Sequence, residues 1–142
     1  PNSRNVIPGS VFLTVDFRHP VDETLSNMDR TLKAFCATLA NENQVRIDIV
    51  DFWYFPPTPF EDGCVEAVRE GAKAAGFEHM DIVSGAGHDA VYIAGVAPTG
   101  MIFVPCEDGI SHNEIENATP ADCAAGCQVL LHAILARAEA LD

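Results

Sequence analysis

Two stretches in the first half of the chain alternate between apolar and polar residues. In residues 11–18 the apolar side chains of one face are Val11, Leu13, Val15 and Phe17. In residues 45–55 they are Val45, Ile47 and Ile49. A period of two residues is typical of a strand with one buried face, so both stretches are predicted to be strands.

The stretch between them has the longer period of a helix. Its apolar positions fall on one stripe, made of Leu25, Met28, Leu32, Phe35 and Leu39. Charged residues occupy the opposite face, as in a surface helix of a globular protein. Asp22 or Thr24 is the expected cap of the first turn. Residues 10–55 are therefore predicted to form a strand–helix–strand unit.

A proline-rich segment, "PPTPF" at residues 56–60, ends that unit because proline cannot join a strand ladder. It is the predicted linker between two subdomains. After it, the pattern predicts helix, strand, helix, strand and helix, with the strands at residues 80–83 and 101–105. Such alternation is typical of an α/β layer, so the fold class is α/β, preceded by an α+β piece.

The first and last helices of this second part have further signals. The first is expected to turn Val65, Val68 and Ala72 inward and to end at Gly76. The last is expected to have Thr119 as its N-cap and to run to residue 140. Its predicted apolar stripe comprises Cys123, Cys127, Leu130, Leu131, Ile134 and Leu135.

The charge of the chain argues against several classes of function. Twenty-one acidic and eight basic residues give a formal net charge of −13, which repels phosphate backbones and anionic lipid, so neither a nucleic acid nor a membrane is expected as a partner. No apolar run is long enough for a membrane span, and no signal-peptide pattern opens the chain. Because the chain opens on Pro1 in a loop-like stretch, it is expected to be a piece of a longer protein.

The cysteines indicate a reducing compartment. There are five, without framework spacing and without a CxxC pair, so they favour neither disulfides, a zinc ribbon nor a redox motif. Reduced thiols are usual in cytoplasmic proteins, and the cytoplasm is the expected location.

Two histidine-bearing loops are the candidate location for chemistry. "SGAGHDA", residues 84–90, follows the first predicted strand of the second part, and "GISHNEIE", residues 109–116, follows the second. In an α/β sheet, ligands bind beyond the carboxyl ends of the strands, so the two loops are expected to converge at one edge. His112 is there either a metal ligand or a surface histidine. His88 beside Asp89 is similar, and its simpler interpretation is a histidine at the start of a helix.

Arg18 is a second candidate. An arginine at a strand end is well shaped to bind a carboxylate through two hydrogen bonds. From these residues alone, an Arg18–Asp16 pair on the surface of a sheet is the simpler interpretation.

Taken together, five stretches of the chain resemble one known family. They are "NVIPGSVFLTVDFRH", "PPTPFED", "SGAGHDA", "PTGMIFVPCEDGISHNEIE" and the helix that follows. They resemble the carbamoylase branch of the zinc-dependent exopeptidase and amidohydrolase family, which includes N-carbamoyl-L-amino acid hydrolases, allantoate amidohydrolases and β-ureidopropionases. Peptidase members usually carry a different, GGTDA-like block in place of "SGAGHDA".

The resemblance implies an architecture and a cofactor. Residues 1–57 would be the C-terminal part of a lid and dimerisation domain, and residues 58–142 the C-terminal part of a metallohydrolase catalytic domain. It further implies a homodimer formed through the lid, and two divalent metal ions in the full-length enzyme: zinc, or manganese, cobalt or nickel. The substrate would be a small molecule with a carboxylate, cleaved at a linear amide or ureido C–N bond.

The resemblance also implies roles for particular residues. His112 matches the last metal ligand of the family. Asn5 and Arg18 match lid residues that hold the substrate, with Arg18 gripping its carboxylate, and Gly87 matches a backbone contact to substrate. His88 and Asp89 would support the site from its edge.

Two features separate this chain from a complete site. The other metal ligands and the general-base glutamate of the family belong to a region upstream of these residues, so no catalytic residue is expected here and the isolated chain is expected to be inactive. Where relatives often read His-Asn-Pro, this chain reads His112-Asn113-Glu114.

The competing interpretations of function are a non-catalytic dimerisation or small-molecule-binding module on the same scaffold, and an aminoacylase or peptidase of the same family.

Overall fold

A computed structural model describes residues 4–139 of the chain, with side chains described for residues 4–138. The chain divides into two compact units, Pro1–Pro57 and Thr58–Asp142. Residue 140, the predicted end of the last helix, lies outside the described residues.

The first unit is built on one long helix, α1, at Asp22–Asn43. The predicted cap is wrong: Val21 holds the N-cap position without a side-chain hydrogen bond, and Asp22 is the first helical residue. The flanking segment is tied to α1 by polar contacts. Lys33 of α1 pairs with Asp51 at 2.7 Å, and the Tyr54 hydroxyl donates to Asp22 of α1. Within the helix, Lys33 also pairs with Asp29 at 2.8 Å.

The described residues of the second unit form three α-helices and a short 3₁₀ turn. The helices are α2 at Asp62–Ala74, α3 at Asp89–Ala94 and α4 at Pro120–Glu139, and the turn is at Glu107–Gly109. As expected, Gly76 follows α2 with a left-handed φ of 74°. Thr119 caps α4 as expected, because its Oγ1 accepts the Asp122 N–H at 3.1 Å and donates to the Asp122 carboxylate at 2.6 Å.

The predicted strands do not form among the described residues. The segments at 10–18, 45–55, 80–83 and 101–105 are neither helical nor paired in a ladder. An alternating pattern makes one face of a strand apolar, but a hydrogen-bonded ladder also needs a neighbouring strand about 4.8 Å away. The residues from 4 to 139 are thus helical with irregular segments, and the predicted sheet is not shown by them.

The core of the second unit lies where α2 crosses α4. Ala72 on α2 and Val129 and Ala133 on α4 are 5%, 6% and 7% exposed. A Cβ on Gly71 would lie 3.1 Å from the Cβ of His132 and 3.1 Å from the Val129 carbonyl oxygen, so glycine permits this close approach. The crossing is made by small residues.

Within the described residues, the face of α4 that packs against α2 is not the predicted apolar stripe. Its large members, Leu130, Leu131, Ile134 and Leu135, are between 49% and 56% exposed. Two helices that pack closely need small side chains where they meet. The sequence pattern instead predicts that the large apolar side chains are buried.

Candidate functional site

The loop at residues 84–88 is held by its own side chains. Oγ of Ser84 accepts the Ala86 N–H at 3.1 Å and lies 2.7 Å from Nε2 of His88. The His88 ring meets the Phe103 ring edge-on, with centroids 5.4 Å apart and planes at 66°. Through this contact the loop after one predicted strand touches the segment predicted as the next.

Gly87 lies at the exposed tip of this loop. A Cβ added there would meet nothing within 4 Å, and its φ is not left-handed. His88 is the N-cap residue of α3, but its side chain makes no hydrogen bond to the first turn of that helix. Asp89 is the first residue of the helix and is exposed.

His112 lies in a turn that its neighbours stabilise. Its φ is 55°, and its backbone N–H donates to the Glu116 carboxylate at 2.7 Å. Asn113 closes the rest of the turn, since its side chain accepts the Ile115 N–H at 3.1 Å and its carbonyl accepts the Glu116 N–H at 3.0 Å. The turn thus forms with Glu114 after the His112-Asn113 pair.

His112 offers one exposed imidazole, and the donors near it do not complete a metal site. Among the described residues, no group of three or more His, Cys, Asp or Glu side chains is placed to hold a metal ion. A catalytic zinc takes about three protein ligands. This part of the chain does not fit a metal by itself, and His112 remains the predicted single ligand.

In the first unit, Arg18 is engaged by a neighbouring carboxylate. Its Nε and Nη2 donate to one oxygen of Asp16, at 3.0 and 2.6 Å. This hydrogen bond lowers the pKa of Asp16, and the carboxylate raises the pKa of Arg18. The Arg–Asp pair expected from the spacing is confirmed, while the substrate role of Arg18 stays a prediction. Asn5 is exposed in the turn before this segment.

Two residues of the local geometry carried no prediction from the sequence: Ser84 and Phe103. Glu116, four residues after His112, was among the carboxylates expected to orient that histidine, together with Glu107, Asp108 and Glu114; it contacts the His112 backbone N–H. Ser84 lies four residues before His88, a short-range spacing that allows a local side-chain hydrogen bond. Phe103 carried no such signal, because its contact with His88 depends on how two segments pack.

The chain belongs to the family described as Peptidase family M20/M25/M40, whose sequence model matches residues 4–136. Hydrolases of this family generally use divalent metals. Among the described helices, none is both long and apolar enough to cross a membrane.

Similar proteins indicate which members of this family the chain resembles most. The chain is 44% identical over 142 residues to an N-carbamoyl-L-amino-acid amidohydrolase of Rhizobium meliloti, covering 100% of this chain and 34% of that protein. It is 35% identical over 131 residues to an allantoate amidohydrolase of Escherichia coli, covering 92% and 32%. An amidase of the hydantoinase/carbamoylase family from Burkholderia multivorans, solved by crystallography, is 57% identical, with a TM-score of 0.93 and coverage of 96% and 33%.

These comparisons show that the backbone matches a fragment of the family's fold. The chain spans about a third of the length of the relatives it matches.

Proposed function

We propose that this chain is part of an amidohydrolase that cleaves a linear C–N bond of an N-carbamoyl-L-amino acid. The observation that carries the proposal is the 44% identity, over all 142 residues, to a protein named for that reaction. The identity to the allantoate amidohydrolase is lower, 35% over 131 residues, so allantoate is the second substrate, with ureidopropionate as a third of the same chemistry.

The family architecture supports an assignment of the two units. Residues 1–57 are the end of a lid and dimerisation domain, and residues 58–142 the end of the catalytic domain. The extended segments then pair with strands elsewhere in the longer protein, and the exposed leucines of α4 pack there too. A homodimer through the lid and a cytoplasmic location complete the proposal.

Several residues of this chain would bind the substrate. Arg18 and Asn5 hold the substrate carboxylate end, because a guanidinium binds a carboxylate through two parallel hydrogen bonds. The Gly87 backbone would also contact the substrate, with His88 and Asp89 supporting the loop around it. Such contacts fix the scissile bond relative to the reacting groups.

His112 would supply one ligand to a pair of divalent ions whose other ligands lie outside the described residues. Zinc is the first choice for an imidazole ligand, with manganese, cobalt and nickel as alternatives. Such ions, when bound, polarise a carbonyl and lower the pKa of water.

A substrate panel on the full-length protein tests the proposal. N-carbamoyl-L-amino acids, allantoate, ureidopropionate, N-acetyl amino acids and dipeptides are assayed before and after chelation, and again after metal is restored. We expect N-carbamoyl-L-amino acids to have the highest kcat/KM, chelation to abolish turnover, and metal to restore it. A preference for the acetyl amino acids or dipeptides identifies an aminoacylase or peptidase, and no turnover with metal restored identifies a binding module; either result refutes the proposal.

A further inference from the structure

One side-chain oxygen ties together both sides of the loop around Gly87. Oγ of Ser84 accepts the Ala86 N–H at 3.1 Å, and the same oxygen lies 2.7 Å from Nε2 of His88. A hydroxyl carries one proton and two lone pairs, so it can accept the first bond and donate the second at the same time. The residues on either side of Gly87 are thereby bound to a single atom.

The His88 ring is restrained from a second direction by Phe103. The two rings meet edge-on with centroids 5.4 Å apart, a geometry favoured by aromatic quadrupoles. Ser84 and His88 are half-buried, whereas Gly87 between them is exposed. The side chains therefore restrain the loop from inside and leave its tip open.

Nothing within the described residues requires a glycine at position 87. Its φ is not left-handed, and a Cβ would meet no atom within 4 Å. Glycine is also used where another molecule must approach the backbone closely. The open space at Gly87 suits that use.

We propose that Ser84 and His88 are positioning residues, which hold the backbone of Ala86 and Gly87 in the shape that receives the substrate. The inference rests on the proposed function and assigns a role to Ser84 that the family resemblance did not. His88 acts through its bond to Ser84 and its contact with Phe103, without itself touching the substrate.

Substitutions at Ser84 in the full-length protein test the hydroxyl. We expect Ser84→Ala to raise KM for an N-carbamoyl-L-amino acid about five- to tenfold, the range that one neutral hydrogen bond supplies. kcat should change less than about twofold, because the restraint serves binding before and during the reaction alike. Ser84→Thr keeps a hydroxyl and should restore KM to within about twofold of the wild-type value.

Two substitutions at His88 separate the hydrogen bond from the ring. Glutamine places a polar atom near the position of Nε2, whereas the shorter asparagine does not. We expect His88→Gln to bind substrate more tightly than His88→Asn. Ser84→Ala should weaken binding more in the Gln variant than in the Asn variant, where only the bond to the Ala86 N–H is left to lose. Equal KM values for the Gln and Asn variants contradict the role of the Ser84–His88 bond.

Hydrogen exchange gives a readout that is independent of activity. The Ala86 amide should exchange faster in full-length Ser84→Ala than in the wild type, and at the wild-type rate in Ser84→Thr. Unchanged exchange and unchanged KM overturn the inference while the proposed function stands. Faster exchange with unchanged KM also overturns it, because the bond is then only structural. A wild type that hydrolyses no substrate of the panel refutes the proposed function and the substrate-positioning role with it.

Discussion

The Arg18–Asp16 pair illustrates how much a single residue's role depends on its neighbours. Both side chains are 60% exposed, so the pair contributes little to stability. Its main effect is to orient the guanidinium, whose Nε and Nη2 donate to the Asp16 carboxylate; these hydrogen bonds also raise the pKa of Arg18. The same chain has a second pair of this kind at Arg46 and Asp48, 2.9 Å apart.

Arg18→Ala in the full-length protein is expected to raise KM about 30-fold or more, because a charge-assisted contact to the substrate carboxylate is lost. Arg18→Lys should be intermediate, since a point charge replaces a planar fork. Steady-state kinetics measure both, with Arg46→Ala as the matched control that leaves KM unchanged. A KM for Arg18→Ala equal to that of the control removes Arg18 from the substrate site.

Gly87→Ala is expected to separate stability from binding. The melting temperature should stay near the wild-type value, and the free energy of unfolding should change by no more than about 0.5 kcal/mol, because the new Cβ meets open space at an ordinary φ. KM should rise roughly tenfold if the substrate approaches this backbone closely. Thermal melting and kinetics on one preparation check both, and an unchanged KM argues that position 87 does not contact substrate.

At the scale of the elements, the crossing of α2 and α4 is the best-defined contact. It is close because Gly71, Ala72 and Ala133 are small. Interiors are packed to crystal-like density, so an added methyl group has little room.

Gly71→Ala should therefore destabilise the full-length protein by about 1–3 kcal/mol, through contacts of 3.1 Å with the Cβ of His132 and the Val129 carbonyl. Gly95→Ala is the control, since its Cβ would come no closer than 3.4 Å to the nearest atom and its φ is −72°. Thermal melting compares the two. Equal melting temperatures mean that the helices cross at a greater distance.

The start of α2 adds a pH-dependent contribution. Glu61 is its N-cap and accepts the Cys64 N–H at 2.7 Å. Hydrogen bonds from the Cys64 side chain and then from backbone N–H groups, with the charge of Arg137, lower the pKa of Glu61. A carboxyl with a lowered folded-state pKa stabilises the fold above its unfolded pKa, and this stabilisation is lost as the pH falls through the folded value.

Glu61→Gln is thus expected to lower the melting temperature at pH 7 and to make progressively less difference as the pH falls below about 4.3, the usual glutamate pKa. Thermal melting of the full-length wild type and variant across this pH range measures the difference in melting temperature. Glu78→Gln, at an exposed position beyond the end of α2, is the control for general charge effects. A difference that persists undiminished at low pH shows that the charge of Glu61 does not matter.

At the scale of the whole molecule, the candidate site is divided between residues of this chain and residues elsewhere. His112 is one donor where a zinc site needs about three, and no metal-binding group of three forms among the described residues.

We expect the 142-residue chain on its own to show no hydrolysis and only weak zinc binding, whereas the full-length protein binds zinc stoichiometrically. Metal analysis and titration measure this, with helix content by circular dichroism as the check on folding. In the full-length protein, His112→Ala should lose metal and His79→Ala should not. Tight, stoichiometric zinc and turnover in the isolated chain would overturn this account of the site.

The helices, the Thr119 cap, the glycine that follows α2 and the family could all be predicted from sequence patterns, because these depend on residues close together in the chain or on motifs in a set order. The face of α4 that packs against α2 could not be predicted in this way, because it depends on the small residues of α2. Only the tertiary structure revealed the contact of Phe103 with His88. The predicted strands lack partners among the described residues. An alternating pattern indicates which face of a strand is buried, but it does not indicate which other strand pairs with it; that depends on how the longer protein packs.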